Sequence, residues 1–180
     1  DSIEIQKIAI KYGAQCPFLR DPDLAKDETT TEDTLKDALE KIEDYLDKKF
    51  KYAMFMTATD VYRRPEWIKE CYETIKKKEE YESVFIGYET TKNYWEYREG
   101  KWERVCEWMS KYGSRQTRQS IVREDTGVCS ISRADLWRQG TRIGDKVGIL
   151  TKKGIYDGLD IHTQYDLEIA EFTIRYDKES

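Results

Sequence analysis

Two short apolar runs joined by a helical segment constrain this chain more than anything else in it. YAMFMTAT, residues 52–59, is continuously hydrophobic and too short for a free-standing helix, so it reads as a strand buried on both faces. YESVFIGYET, residues 81–90, reads as a second strand. Between them Pro65 opens a helix whose apolar face is Trp67, Ile68, Cys71, Tyr72 and Ile75. Strand–helix–strand units of this length call for right-handed crossovers, with helices on both faces of the sheet. The expected fold class is α/β: a doubly wound, mostly parallel, Rossmann-like sheet.

The flanking segments fit that frame. SIEIQKIAIKYG places apolar residues at helical spacing and stops at Gly13, and Leu35, Ala38, Leu39, Ile42 and Leu46 form the stripe of a longer helix capped by the threonines before it. GVCSISR (127–133) and DKVGILT (145–151) read as strands, with ADLWRQG between them a helix ended by Gly140. Thr163 can cap a last helix, with Asp166 three residues on as its capping-box partner. The middle departs from the alternation. KNYWEYREGKWERVCEW alternates about Glu99-Gly100 and predicts an inserted β-hairpin rich in tryptophan, either a lid on its own core or an oligomer contact.

A length of 180 residues, 38% hydrophobic and 13% aromatic, suits one domain with one good core. The 37% charged fraction nets only -5, which argues for an interspersed, soluble surface and against a disordered acidic tail. No apolar run reaches the roughly 18 residues of a membrane span, and no secretory signal is visible. Cys16, Cys71, Cys106 and Cys129 lie far apart without a CxxC pair, so they read as reduced thiols of a cytoplasmic protein. The chain opens at Asp1 without an initiator methionine, so an upstream segment is expected.

Open α/β sheets bind ligands beyond the carboxyl ends of their strands. TATDVYRRPE (57–66) and LDIHT (159–163) reach that edge. If 159–162 is extended, Asp160 and the chain's only histidine, His162, point the same way and Ile161 points to the core. The pair is then either a polar site at a strand end or a simple tether for the helix that follows. From Arg115 to Lys146, seven cations face four acids, about +3 within an acidic chain. Such a stretch suits a small anionic ligand better than nucleic acid, since arginine offers a fork to carboxylate or phosphate oxygens; the alternative is a solvated face.

Four segments in order, KYGAQCPFLRDPDLAKDETTTEDTLKDAL, MFMTATDVYRRPEWI, SRQ…REDTGVCSISR and RIGDKVGIL…GLDIHTQYDLEIAE, resemble the acylneuraminate cytidylyltransferases, the CMP-sialic acid synthetase family. The likeness runs along nearly the whole chain, and its most specific part is the last, where the family reads close to DIDTELDFEIAE. The resemblance implies a single nucleotidyltransferase-like domain over 1–180, whose N-terminal strand and phosphate loop precede this sequence, with 91–126 as an inserted hairpin and dimerisation segment. It implies Mg²⁺ and CTP, an acidic nonulosonic sugar as acceptor, a homodimer, and neither nucleic acid nor membrane as partner.

Carried over by position, Asp160 matches the first metal-binding aspartate and His162 stands in place of the second. Arg63 matches the arginine that closes the family's QPTSPLR segment and is expected to be catalytic. Arg20, Thr30, Thr31 and Asp60 fall at the nucleotide, and Arg115 and Gln116 match the RQ pair near the sugar. Three departures stand out: the glycine-rich ARGGSKG loop is not in this sequence, TATDVYR replaces QPTSPLR, and a histidine replaces an aspartate. His162 is a poor Mg²⁺ ligand, so it is expected to hydrogen-bond a phosphate, to admit Mn²⁺, or to take the proton of the attacking hydroxyl. The alternatives are the same fold with another acceptor such as Kdo, or a non-catalytic homologue or fragment.

Overall fold

The computed structural model describes residues 1–114, 116–152 and 159–179, of which 177–179 are described as backbone only. The helices are α1 (Ile3–Lys11), α2 (Thr31–Leu46), α3 (Pro65–Lys77), α4 (Ala134–Arg138) and α5 (Gln164–Glu179). The strands are β1 (Tyr52–Phe55), β2 (Ser83–Thr90), β3 (Trp95–Arg98), β4 (Lys101–Arg104), β5 (Ile121–Glu124), β6 (Ser130–Arg133) and β7 (Val147–Lys152). Five strands form one sheet in the order β1-β6-β2-β5, with β7 also paired to β2, while β3 and β4 pair by themselves. Among the described residues no helix is long and apolar enough to cross a membrane.

The mixed α/β class holds, but the strand directions correct the expected parallel sheet. β2 and β5 run antiparallel, with Gly87 opposite Glu124 and Thr90 opposite Ile121. β6 is antiparallel to β1, because Ala134 donates to Lys51 O while Thr57, further along β1's direction, donates to Gly127 O, earlier in the chain than β6. It is antiparallel to β2 as well: Ile86 donates to Cys129 O and Arg133 donates to Glu82 O. The physical cause is the connection. A parallel neighbour needs a crossover, usually a helix, whereas here the chain turns back after β2 through an exposed hairpin and returns directly as β5 and β6.

The chain divides into two compact units, the cuts along the chain falling after β1 and within α3, β2, β6 and β7. In the first (1–55, 72–84 and 131–148), α2 is capped by Thr30, whose hydroxyl accepts from Asp33 N–H at 3.1 Å. Its apolar stripe packs on α4, so that Leu39, Ala134 and Trp137 make a core with Leu35, Phe50, Ala53, Phe55 and Leu136 around them. Glu43, on the same helix, is 1% exposed. It accepts from Lys49 Nζ (2.8 Å), Phe50 N–H (2.9 Å) and Arg138 Nε (3.2 Å). The Arg138 guanidinium holds its carboxyl down at about 2, against the opposing effect of burial. The predicted helix at the N-terminus forms as α1, but Ile3, Ile5, Ile8 and Ile10 remain exposed.

The second unit is 56–71, 85–130 and 149–180. Phe85, Ile86, Tyr88, Met109, Val128, Cys129, Cys71 and Ala170 are its buried apolar side chains. The predicted hairpin is present, with Trp95 opposite Arg104 and Tyr97 opposite Trp102. Glu99 (φ 50°) and Gly100 (φ 83°) both take the left-handed backbone that a tight two-residue turn requires. The Tyr97 and Trp102 rings lie 5.1 Å apart, and Arg104 sits 4.1 Å over Trp95, yet Trp95, Tyr97 and Trp102 stay exposed. All four cysteines are free.

Candidate active site at the Asp160–His162 edge

The two stretches singled out from the sequence meet within the second unit. After β1, Met56–Asp60 leaves the strand in a turn, and Ile161 N–H donates to Thr59 O at 3.2 Å, tying the LDIHT segment to that turn. A third segment joins them. Ile86 accepts from Asp125 N–H and donates to Cys129 O, each at 3.1 Å, so residues 125–128 leave the ladder between β5 and β6. Thr57 N–H donates to Gly127 O at 2.8 Å, bringing that excursion against the turn.

Arg63 binds these pieces together. Its Nε donates to Val128 O, and its Nη2 donates to Thr57 O at 2.5 Å and to Gly127 O at 2.9 Å. Beneath it Asp60, only 4% exposed, accepts the Thr57 hydroxyl at 2.5 Å. Burial pushes the Asp60 carboxyl above the ordinary aspartate range; the Thr57 hydroxyl opposes this, and the charges of Asp125 and Asp160 add to it. Gly127 makes the arrangement possible, since a Cβ there would stand 2.4 Å from Asp60 Oδ2 and 2.8 Å from Thr57 Oγ1.

A cavity of about 330 Å³ opens among Arg123, Asp125, Asp160 and His162. Arg123 Nη2 lies 2.6 Å from Asp125 Oδ2, and its guanidinium rides 5.6 Å over the Tyr88 ring. Asp160 and His162 point the same way, as the alternation predicts: His162 Nε2 lies 3.1 Å from Asp160 Oδ2. The other carboxylate oxygen, Asp160 Oδ1, is buried without a hydrogen-bond partner among the described residues. The tether of α5 falls to other side chains. Asp166 accepts from Thr163 N–H (2.8 Å), the Thr163 hydroxyl (2.8 Å) and His162 N–H (3.1 Å), while Asp166 N–H donates to Thr163 Oγ1 at 3.3 Å. Led by the Thr163 hydroxyl, these bonds hold the Asp166 carboxyl below its usual range. The capping box serves the helix, and the Asp160 and His162 side chains face each other.

Among the described residues no three or more His, Cys, Asp or Glu side chains converge as a metal cage. A hard dication carried by a nucleotide needs less, because one or two carboxylates complete a coordination shell otherwise made by phosphates and water. Asp160 Oδ1, buried and unpaired, is a donor of that kind, so the site fits such an ion.

No family model matches the chain. It is 27% identical over 182 residues to post-translational flagellin modification protein B of Campylobacter coli, covering 97% of this chain and 74% of that protein. It is 36% identical over 76 residues to CMP-N,N'-diacetyllegionaminic acid synthase of Legionella pneumophila, a stretch that covers 42% of this chain and 32% of that protein. The second of these carries a CMP-sugar synthase name, like the CMP-sialic acid synthetase family that the sequence resembles. Of the positions carried over from that family, Asp60, Arg63, Asp160 and His162 come together here. Arg20, which pairs with Asp1 at 3.3 Å, and Thr30 and Thr31, at the start of α2, belong to the other unit. Gln116 is exposed in a turn, and Arg115 lies outside the described residues. Sequence reasoning did not single out Thr57, Arg123, Asp125 or Gly127, although the last three lie in the REDTGVCSISR stretch that carries part of the family likeness.

Proposed function

We propose that the chain belongs to a cytidylyltransferase that transfers CMP from CTP to an acidic nonulosonic sugar of sialic or legionaminic type, releasing pyrophosphate. The observation that carries this reading is the Asp160–His162 pair on the wall of the Arg123–Asp125 cavity. The name of the second relative, a CMP-N,N'-diacetyllegionaminic acid synthase, supports the substrate class.

Asp160 would hold Mg²⁺ or Mn²⁺, an ion that neutralises triphosphate charge and fixes the α-phosphorus for in-line attack. His162 is 75% exposed on its side chain, and its Nε2 faces Asp160 Oδ2, which leaves Nδ1 to take the proton of the sugar's anomeric hydroxyl. The hydroxyl oxygen bonds to the α-phosphorus as the bond to the β-phosphate oxygen breaks. Arg123, held over Tyr88, presents its guanidinium toward the anions on this wall. A second cavity of about 510 Å³, lined by Trp108, Lys111, Thr117 and Arg118 among others, is the proposed place for the sugar carboxylate. A cytoplasmic setting, where CTP is supplied, suits the free thiols.

Pairing through the exposed aromatic hairpin would make a homodimer, and a dimeric mass by light scattering at micromolar concentration is expected. The function is tested by pyrophosphate release from the full-length protein with CTP and a panel of acidic sugars. Release that depends on one of them is expected. CTP bound without turnover on any member of the panel would overturn the proposal.

A further inference from the structure

The resemblance makes Arg63 a catalytic residue; its contacts give it a different task. We infer that Arg63 is a positioning residue for the reaction proposed above, on which this inference rests: its guanidinium locks the Thr57–Asp60 turn to the Asp125–Val128 excursion and does not itself hold phosphate. Nε and Nη2 serve three main-chain carbonyls, Val128 O, Thr57 O and Gly127 O, and two of those lie 64 and 65 residues away in sequence. Thr57 repeats the link with its N–H on Gly127 O and its hydroxyl on Asp60. Gly127 completes the lock, because any side chain there would displace the Asp60 carboxylate.

The two segments so joined carry Asp60 and Asp125, and the Ile161–Thr59 hydrogen bond adds the strand end that carries Asp160 and His162. The charges of Asp125 and Asp160 both act against an ionised Asp60, so the join brings like charges together. A planar fork with fixed donor directions can hold carbonyls from two segments at once. A lysine ammonium, a single point on a flexible stem, cannot.

The test compares Arg63→Lys, Arg63→Ala and Gly127→Ala in the full-length protein, by amide hydrogen exchange and by CTP-dependent pyrophosphate release. Thr57 and Ile161 amides are expected to exchange at least about tenfold faster in both Arg63 variants, while Ala134, bonded to Lys51 O, stays protected. Turnover should fall by roughly 10–100-fold in both, as for a misplaced site, with KM for CTP and its salt dependence near wild type. Gly127→Ala keeps the guanidinium and should expose Thr57 in the same way, which preserves the test if an Arg63 variant fails to fold. Two results overturn the inference. One is Arg63→Lys restoring both protection and turnover. The other is protected amides with a KM for CTP raised tenfold and less sensitive to salt, the mark of a phosphate contact. If the wild type releases no pyrophosphate, the cytidylyltransferase reading fails, and the exchange arm still decides whether Arg63 is a clamp.

Discussion

Glu43 and Asp60 are both buried acids, one in each unit, and folding moves them in opposite directions. Glu43 meets a guanidinium, an ammonium and a backbone N–H, and its carboxyl drops to about 2. Asp60 meets a neutral hydroxyl, and its carboxyl rises, pushed first by burial and then by the charges of Asp125 and Asp160. An acid whose environment neutralises it serves the fold. An acid held among like charges works against the fold and marks a place where something else supplies the positive charge.

The sharpest way to break this contrast is Asp160→Asn. Replacing an ionised oxygen at the site should lower turnover by roughly 10²–10³ with the melting temperature almost unchanged. Near-normal pyrophosphate release would move Asp160 to Glu43's side of the comparison. Next comes Glu43→Gln, which leaves Arg138 half-served next to Phe50 O. It should destabilise by roughly 2–3 kcal/mol in urea titration, below the fully buried case because Arg138 keeps 24% exposure. A change under about half a kcal/mol would remove Glu43 as a fold anchor.

The pH dependence separates the two acids further. Folding acidifies Glu43, so the stability it lends is complete above its unfolded range near 4.5 and is lost as pH falls toward about 2. For Asp60 the sign reverses: the linked stability is present below the ordinary aspartate value near 3.8 and is lost as pH rises through its higher folded value. Denaturant midpoints followed from pH 2 to 7 should therefore show a smaller low-pH drop in Glu43→Gln and an undiminished one in Asp60→Asn. The smallest effect on stability belongs to His162→Ala, which should change it by less than about 1 kcal/mol, because Asp166 and Thr163 cap α5. Its turnover should fall by roughly 10²–10⁴ if the imidazole takes the proton, read from the pH–rate profile.

The sequence was most legible where the code is local. The hairpin about Glu99-Gly100, the helix from Pro65 and the Thr163–Asp166 box need only neighbours along the chain to specify them, and each is present. Strand direction was not legible, because an apolar run reveals that it is buried but not which way its partner runs. β5 escaped notice altogether: four residues, mostly exposed, show no alternation to read. In the site, the Asp160–His162 spacing announced itself, whereas Arg63 was legible only as a residue type. Its partners are main-chain carbonyls, which every residue has, so no letter of the sequence records them. Gly127 became meaningful only once Asp60 was seen to press against it.

The hairpin has one more consequence, for the order in which the chain can assemble. β2 and β5 are separated by about 30 residues, and Val105 N–H closes the hairpin on Tyr94 O as a stem inside that loop. Forming the stem first shortens the loop to an effective length of about 19. By the logarithmic law of loop closure that eases the meeting of β2 and β5 by only about 0.4 kcal/mol. So slight a gain in assembly does not account for rings as large as Trp95, Tyr97 and Trp102, and their place on this stem has to be explained by what the finished surface meets.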